Sequence, residues 1–177
     1  MNIETIFLES ITKRFKEYKT LGEKTFDQLN DEEMHFQPNE ESNSIAVIIQ
    51  HLHGNMLSRW TNFLSEDGEK EWRKRDDEFE LHQFTKQQLI DKWNEGWKVF
   101  LDTLESLTTN DLSKTIIIRS QPLNVVDAIN RQMAHYSYHV GQIVYLGRWI
   151  RQNEWKSLSI PKNKSKEFTE KMQQSRH

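Results

Sequence analysis

The chain has 177 residues, 35% hydrophobic and 29% charged, with a formal net charge of −3; a single domain of this length buries roughly 70% of the surface its unfolded form exposes. That charge gives no electrostatic reason to expect nucleic acid or an anionic membrane as partner, and six glycines with three prolines argue against a turn-rich all-β fold. The absence of cysteine excludes disulfides, zinc–thiolate sites and a thiol nucleophile carried by the protein itself.

From about Asn2 to Leu29, the residues Ile3, Phe7, Ile11, Phe15, Tyr18 and Leu21 recur at three- and four-residue steps, which predicts one apolar helical face. No basic start followed by an apolar run precedes it, so a secretory signal is not expected. Asn30-Asp31-Glu32-Glu33 resembles a helix start but leads to Pro38, and reads as a short connection. A second helix is expected after the capping pair Asn43-Ser44, running to about Leu64 with Ile45, Ile48, Ile49, Leu52, Met56 and Trp60 on its face. Ser65 to Glu80 is charged and lacks an apolar period, so it reads as a long surface connection outside the core. A third helix starts near Thr85, through Leu89, Trp93, Trp97 and Phe100. Thr115 to Pro122 is a β-branched run, suited to a strand of a small hairpin or an extended crossover. A fourth helix runs from about Asn124 to Arg151, and a short terminal one is placed near Ser165 to Gln173. No run of 18 apolar residues occurs, so no conventional membrane-spanning helix is expected. These elements predict an all-α four-helix bundle over residues 1–153 with a C-terminal extension over 154–177.

The fourth helix carries His135 and His139 inside "HYSYHVGQ". Positions i and i+4 lie about 40° apart around a helix and about 6 Å apart along it, so both imidazoles can reach one ion. The plainer alternative is two partly buried histidines with hydrogen-bonded rings. Tyr136 stands where a zinc protease would have its Glu, and Gln132 where a di-iron bundle would have a carboxylate. A mononuclear site would therefore need a third ligand from another helix. Helix two offers His51 and His53, which point about 200° apart; periodicity slightly favours His53 as the inward one, while His51 lies at the polar margin beside Asn55. His35, His82 and His177 read as surface residues. The tryptophans, including Trp60, Trp93, Trp97 and Trp149, read as core. Arg59, Arg131 and Tyr138 are candidates for the mouth of a pocket, with solvated helix surface as the plainer reading.

"NSIAVIIQHLHGN" and "INRQMAHYSYHVGQIVYLGR" resemble the DinB/YfiT-like superfamily of bacterial four-helix bundles, and the similarity extends over nearly the whole chain. The most specific element is His135-x-x-x-His139 followed by Val140-Gly141-Gln142. The resemblance implies one divalent ion held by three histidines, and zinc and nickel are the ions expected because both suit imidazole ligands. Its pattern maps onto His51, which precedes Leu52, and onto His135 and His139. It further implies a homodimer through helix faces and metal-assisted transfer of a low-molecular-weight thiol to a small electrophilic substrate, while the absence of cysteine and of a secretory signal fits a cytoplasmic location. Catalytic residues are not assigned. Metal-dependent hydrolysis is the alternative, weakened because no Asp or Glu stands obviously beside the histidines; a non-catalytic, stress-associated binding protein is the other.

Overall fold

The computed structural model describes residues 2–174. Helices α1 (Ile3–Phe26), α3 (Ile45–Trp60), α4 (Lys86–Ser106) and α5 (Val125–Arg151) form the bundle. α2 (Asp31–Met34) is a single turn, and α6 (Ser165–Gln174) follows the bundle. Each bundle helix starts where a short polar side chain precedes an apolar period. Asn2, Ser44, Thr85 and Asn124 accept backbone N–H bonds from Thr5, Val47, Gln88 and Asp127 respectively, and loss of such a cap costs about 1 kcal/mol. Gln88 closes a capping box with Thr85, as Glu33 does with Asn30 on α2.

The four helices pack in a ring, α1 on α5, α5 on α3, α3 on α4 and α4 on α1. Its centre is aromatic. Phe15, Trp60, Trp93, Trp97, Phe100 and Tyr136 are all buried, and most of their contacts are edge-to-face, with Phe15 and Phe100 centroids 4.5 Å apart. Each such pair contributes about 0.5–1.5 kcal/mol beyond its area. Two tryptophans depart from the core reading: Trp149 and Trp72 are 51% and 57% exposed.

The β-branched run is the first strand of a hairpin, β1 (Thr115–Ile118) pairing antiparallel with β2 (Gln121–Asn124). Arg119 and Ser120 both have positive φ, 54° and 58°, as a two-residue type I′ turn requires. The carboxylate of Asp67 accepts both backbone N–H groups of that turn, at 2.9 and 2.8 Å, and Gly68 donates to Ile117 O. The charged segment 65–80 is thereby stitched to the hairpin and folded over α3. Gly68, Lys70 and Arg73 within it are buried, so it is not an outlying loop. Its polarity hid this, since Lys70 and Arg73 are buried as ion pairs with Glu66 and Glu78.

Beyond Arg151, Lys156 exchanges backbone hydrogen bonds with the side-chain amide of Gln28 at the end of α1, while α6 is exposed along its length. No helix among the described residues is long and apolar enough to cross a membrane.

Candidate metal centre

α3 and α5 are neighbours in the ring, and segment 65–80 closes over the gap between them. On α5, Tyr136 is fully buried and turned into the aromatic core. The residue before it and the one three after it, His135 and His139, therefore sit on the flank that looks toward α3. On α3 the burial runs almost all the way round: Gln50, His51, Asn55 and Arg59 are buried along with the apolar stripe. This decides between the two candidate histidines. His51 enters the site, whereas His53 turns toward α4 and pairs with Glu95 at 2.8 Å. Periodicity favoured His53 because the polar margin of α3 resembles a solvent face; the charged segment covers it.

His135 Nε2 lies 3.2 Å from His51 Nε2 and 3.1 Å from His139 Nε2, and one ligand atom from each of the three falls within 4.8 Å of the others. Two nitrogens bound tetrahedrally at about 2.0–2.1 Å from one ion stand about 3.3–3.4 Å apart, so the three rings are already close to the spacing an ion requires. The outer nitrogens are engaged as well. His51 Nδ1–H donates to Glu78 Oε2 at 3.0 Å, and His139 Nδ1–H donates to Gln142 Oε1 at 2.8 Å. Both bonds favour the tautomer whose Nε2 lone pair points inward, the arrangement that carboxylates and amides impose on ligating histidines. His135 differs. Gln132 Nε2 stands 3.1 Å from its Nδ1 and also donates to Asn55 Oδ1 at 2.8 Å. An amide donor at Nδ1 suits His135 carrying its proton on Nε2, shared with a neighbouring imidazole. Ligation through Nε2 requires the Gln132 amide to turn over and present its oxygen.

Burial, reinforced by the neighbouring His139 and His51 rings and by Arg73 and Arg131, holds the pKa of His135 down at about 3. Burial and His51 hold His139 at about 4, against the raising effect of its bond to Gln142. Both are neutral at pH 7, the form in which imidazole ligates. Burial raises the pKa of the Glu78 carboxyl, but bonds from His51 and Arg73 outweigh it, and the net shift is downward. Arg73 grips both Glu78 oxygens, Nε at 2.7 Å and Nη2 at 2.9 Å.

Glu78 is the residue that sequence reasoning missed. A carboxylate does stand beside the histidines, and it arrives from the charged segment rather than from a helix. One signal pointed to it. Gly54 sits in mid-helix in "HLHGN", where glycine costs about 1 kcal/mol relative to alanine. A Cβ there would lie 2.1 Å from Glu78 Oε1. The glycine makes room for that carboxylate, while Phe79 lays its ring 4.9 Å from that of His51.

A polar cavity of about 180 Å³ opens from the site, lined by His51, Asn55, Gln132, His135 and five arginines. Arg59 and Arg131, suggested by the sequence, are among them, and Arg59 is buried rather than solvated. Tyr138 is 62% exposed but accepts from Gln142 Nε2 and packs 4.9 Å from the His139 ring. His35 is half-buried on Phe84 O, and His82 is half-buried with its ring on Asp77 O; neither approaches the cluster. His177 lies outside the described residues. A wider groove of about 830 Å³ between α1 and the end of α4 is lined by Leu8, Lys13, Lys16, Glu105 and neighbours, and holds no histidine.

Residues 2–164 match a family model described as "Protein of unknown function (DUF1572)". Comparison of the sequence with curated proteins finds no match. Among solved structures the chain is similar to the crystal structure of a DinB-like protein from Bacillus cereus ATCC 10987. The two are 16% identical, with a TM-score of 0.63 over 84% of this chain and 96% of that one.

Proposed function

The chain belongs to the DUF1572 family and has a DinB-like fold, and from that premise we propose that it holds one divalent metal ion through His51, His135 and His139 and transfers a small thiol to an electrophilic small molecule. The observation that carries this reading is the convergence of the three Nε2 atoms at near-ligand spacing. Zinc and nickel both suit an all-imidazole set, and three protein ligands leave open positions, as in catalytic rather than structural zinc sites.

A bound ion would supply Lewis acidity that favours ionisation of a thiol at neutral pH. The protein's own groups do the rest. Glu78 and Gln142 fix the rings of His51 and His139, and Arg73 fixes Glu78. Phe79 shields the His51 edge from water. In the proposed reaction a thiol R–SH and an electrophile R′–X give R–S–R′ and HX. The nucleophile comes with the cosubstrate, consistent with a chain that has no cysteine. Glu78 supports transfer over hydrolysis: with both oxygens committed to Arg73 and one also to His51, it has little freedom to act as a general base toward water. A cytoplasmic setting, where such thiols are abundant, goes with this proposal. So does a homodimer formed through the face of α5 that exposes Tyr138, Tyr145 and Trp149.

The test supplies low-molecular-weight thiols with a panel of alkylating electrophiles to zinc-loaded protein, nickel-loaded protein and the His139→Ala variant. Thiol consumption dependent on both metal and His139 is expected. Equal rates in the variant would reject transfer with those compounds, and turnover of ester or amide substrates without thiol would establish hydrolysis instead.

A further inference from the structure

The cavity beside the histidines is lined by Arg59, Arg73, Arg75, Arg119 and Arg131. On a chain of net charge −3, five guanidiniums around about 180 Å³ do not follow from composition. Among the described residues only two carboxylates are ion-paired with them. Glu69 is shared by Arg59 and Arg119 at 2.9 Å each, and Glu78 pairs with Arg73. Arg75 lies over the Phe79 ring at 5.4 Å, and neither it nor Arg131 has a carboxylate partner among the described residues. An excess of three positive charges therefore borders one small cavity.

Arg73 adds an independent sign. Its side chain is 2% exposed, its Nε and Nη2 are taken by Glu78, and its Nη1 is buried with no hydrogen-bond partner. A buried charged donor left unsatisfied costs more than the roughly 1–3 kcal/mol of a neutral one, so an acceptor from outside the chain is what this position lacks. A cavity of this volume holds about six waters' worth of ligand. That suits a single oxyanion group and not a whole large substrate.

We propose that the arginine-lined cavity docks an oxyanion group, carboxylate or phosphate, of the small-molecule substrate, and so presents the rest of that molecule to the three histidines. Guanidinium forks match the paired oxygens of either group, and the uncompensated charge draws anions toward the opening. The inference rests on the proposed reading of the histidine site for which substrate it serves, but anion binding itself does not require a metal.

The experiment titrates inorganic phosphate and, separately, malonate into the full chain at low ionic strength by calorimetry, with and without zinc. Variants are Arg131→Gln and Arg75→Gln, both exposed in the fold, with Lys74→Gln as a control of equal charge change; zinc affinity of every variant is measured in parallel. At least one anion is expected to bind, at least tenfold more weakly in each arginine variant and within threefold of wild type in the lysine control. Preference for phosphate or for malonate assigns the group. Binding of neither anion overturns the proposal, and so does equal weakening by Lys74→Gln, which would make the effect one of net charge. Anion binding without zinc binding would sustain this inference while rejecting the metal reading.

Discussion

Each imidazole of the cluster has a different outer partner, and the partners set what a substitution should do. His51→Ala, His135→Ala or His139→Ala leaves two nitrogens, and stoichiometric zinc or nickel binding is expected to vanish in each. His53→Ala, whose ring faces Glu95, should bind as wild type; the reverse result for His51 and His53 would show that the ion is held elsewhere. Glu78→Gln leaves the Arg73 guanidinium buried without its counter-charge, an expected loss of about 3 kcal/mol, and should weaken metal affinity about 10–100-fold by loosening the His51 ring. Unchanged affinity would mean that Glu78 serves stability alone. The histidine pKa values also predict a pH effect. His135 and His139 titrate at about 3 and about 4 in the fold against 6.5 in an unfolded chain. Between those limits the unfolded state binds more protons, so stability present above pH 6.5 is lost as pH falls toward 3. Denaturant titrations of metal-free protein at pH 7.5, 5.5 and 4.5 should show this decline; a flat profile over that range would contradict the low values.

At the scale of elements, α3 is the unusual helix. It is covered by α4 and α5 on one side and by segment 65–80 on the other, so its polar residues are buried with partners instead of solvated. Gly54 is where the segment comes closest. In an exposed helix Gly→Ala stabilises by about 1 kcal/mol. Here Gly54→Ala should push the Glu78 carboxylate off its place and reduce metal affinity at least tenfold, while circular dichroism reports unaltered helix content. Gain of stability with full affinity would show that Glu78 is not needed where it stands. The segment also depends on Asp67, which caps the Arg119-Ser120 turn. The hairpin and the segment thus hold each other, and together they position both Glu78 and Arg73.

For the molecule as a whole, an ion that binds only the folded state adds stability by mass action. At free zinc one hundred times its dissociation constant, about 2.7 kcal/mol is expected, or roughly 5–10 °C in Tm for a chain of this length. Calorimetric scans with zinc and with a chelator would reveal it; coincident transitions would remove the metal proposal. The exposed aromatic face of α5 leads to a second whole-molecule expectation, a dimer at micromolar concentration in sedimentation velocity that Tyr145→Glu converts to monomer. A monomeric wild type would leave that face unexplained.

What the sequence determined by itself was whatever depends on neighbours along the chain. The cap at Ser44 and the apolar steps of each segment placed the starts of four helices within a residue or so, while the expected ends at Leu29 and Leu64 ran three and four residues beyond Phe26 and Trp60. The four-residue spacing of His135 and His139 put both on one face. The third histidine was reached only through the family pattern, because periodicity reads a helix as having one wet side and α3 has none. The placing of Glu78 and Arg73, and the gathering of five arginines, Arg59 and Arg131 among them, around one cavity depended on tertiary structure. Glu78, Arg73 and Arg75 come from a segment without periodicity, folded back by a hairpin some fifty residues further on, and a charged residue reads as solvated until the group that pairs with it is brought alongside.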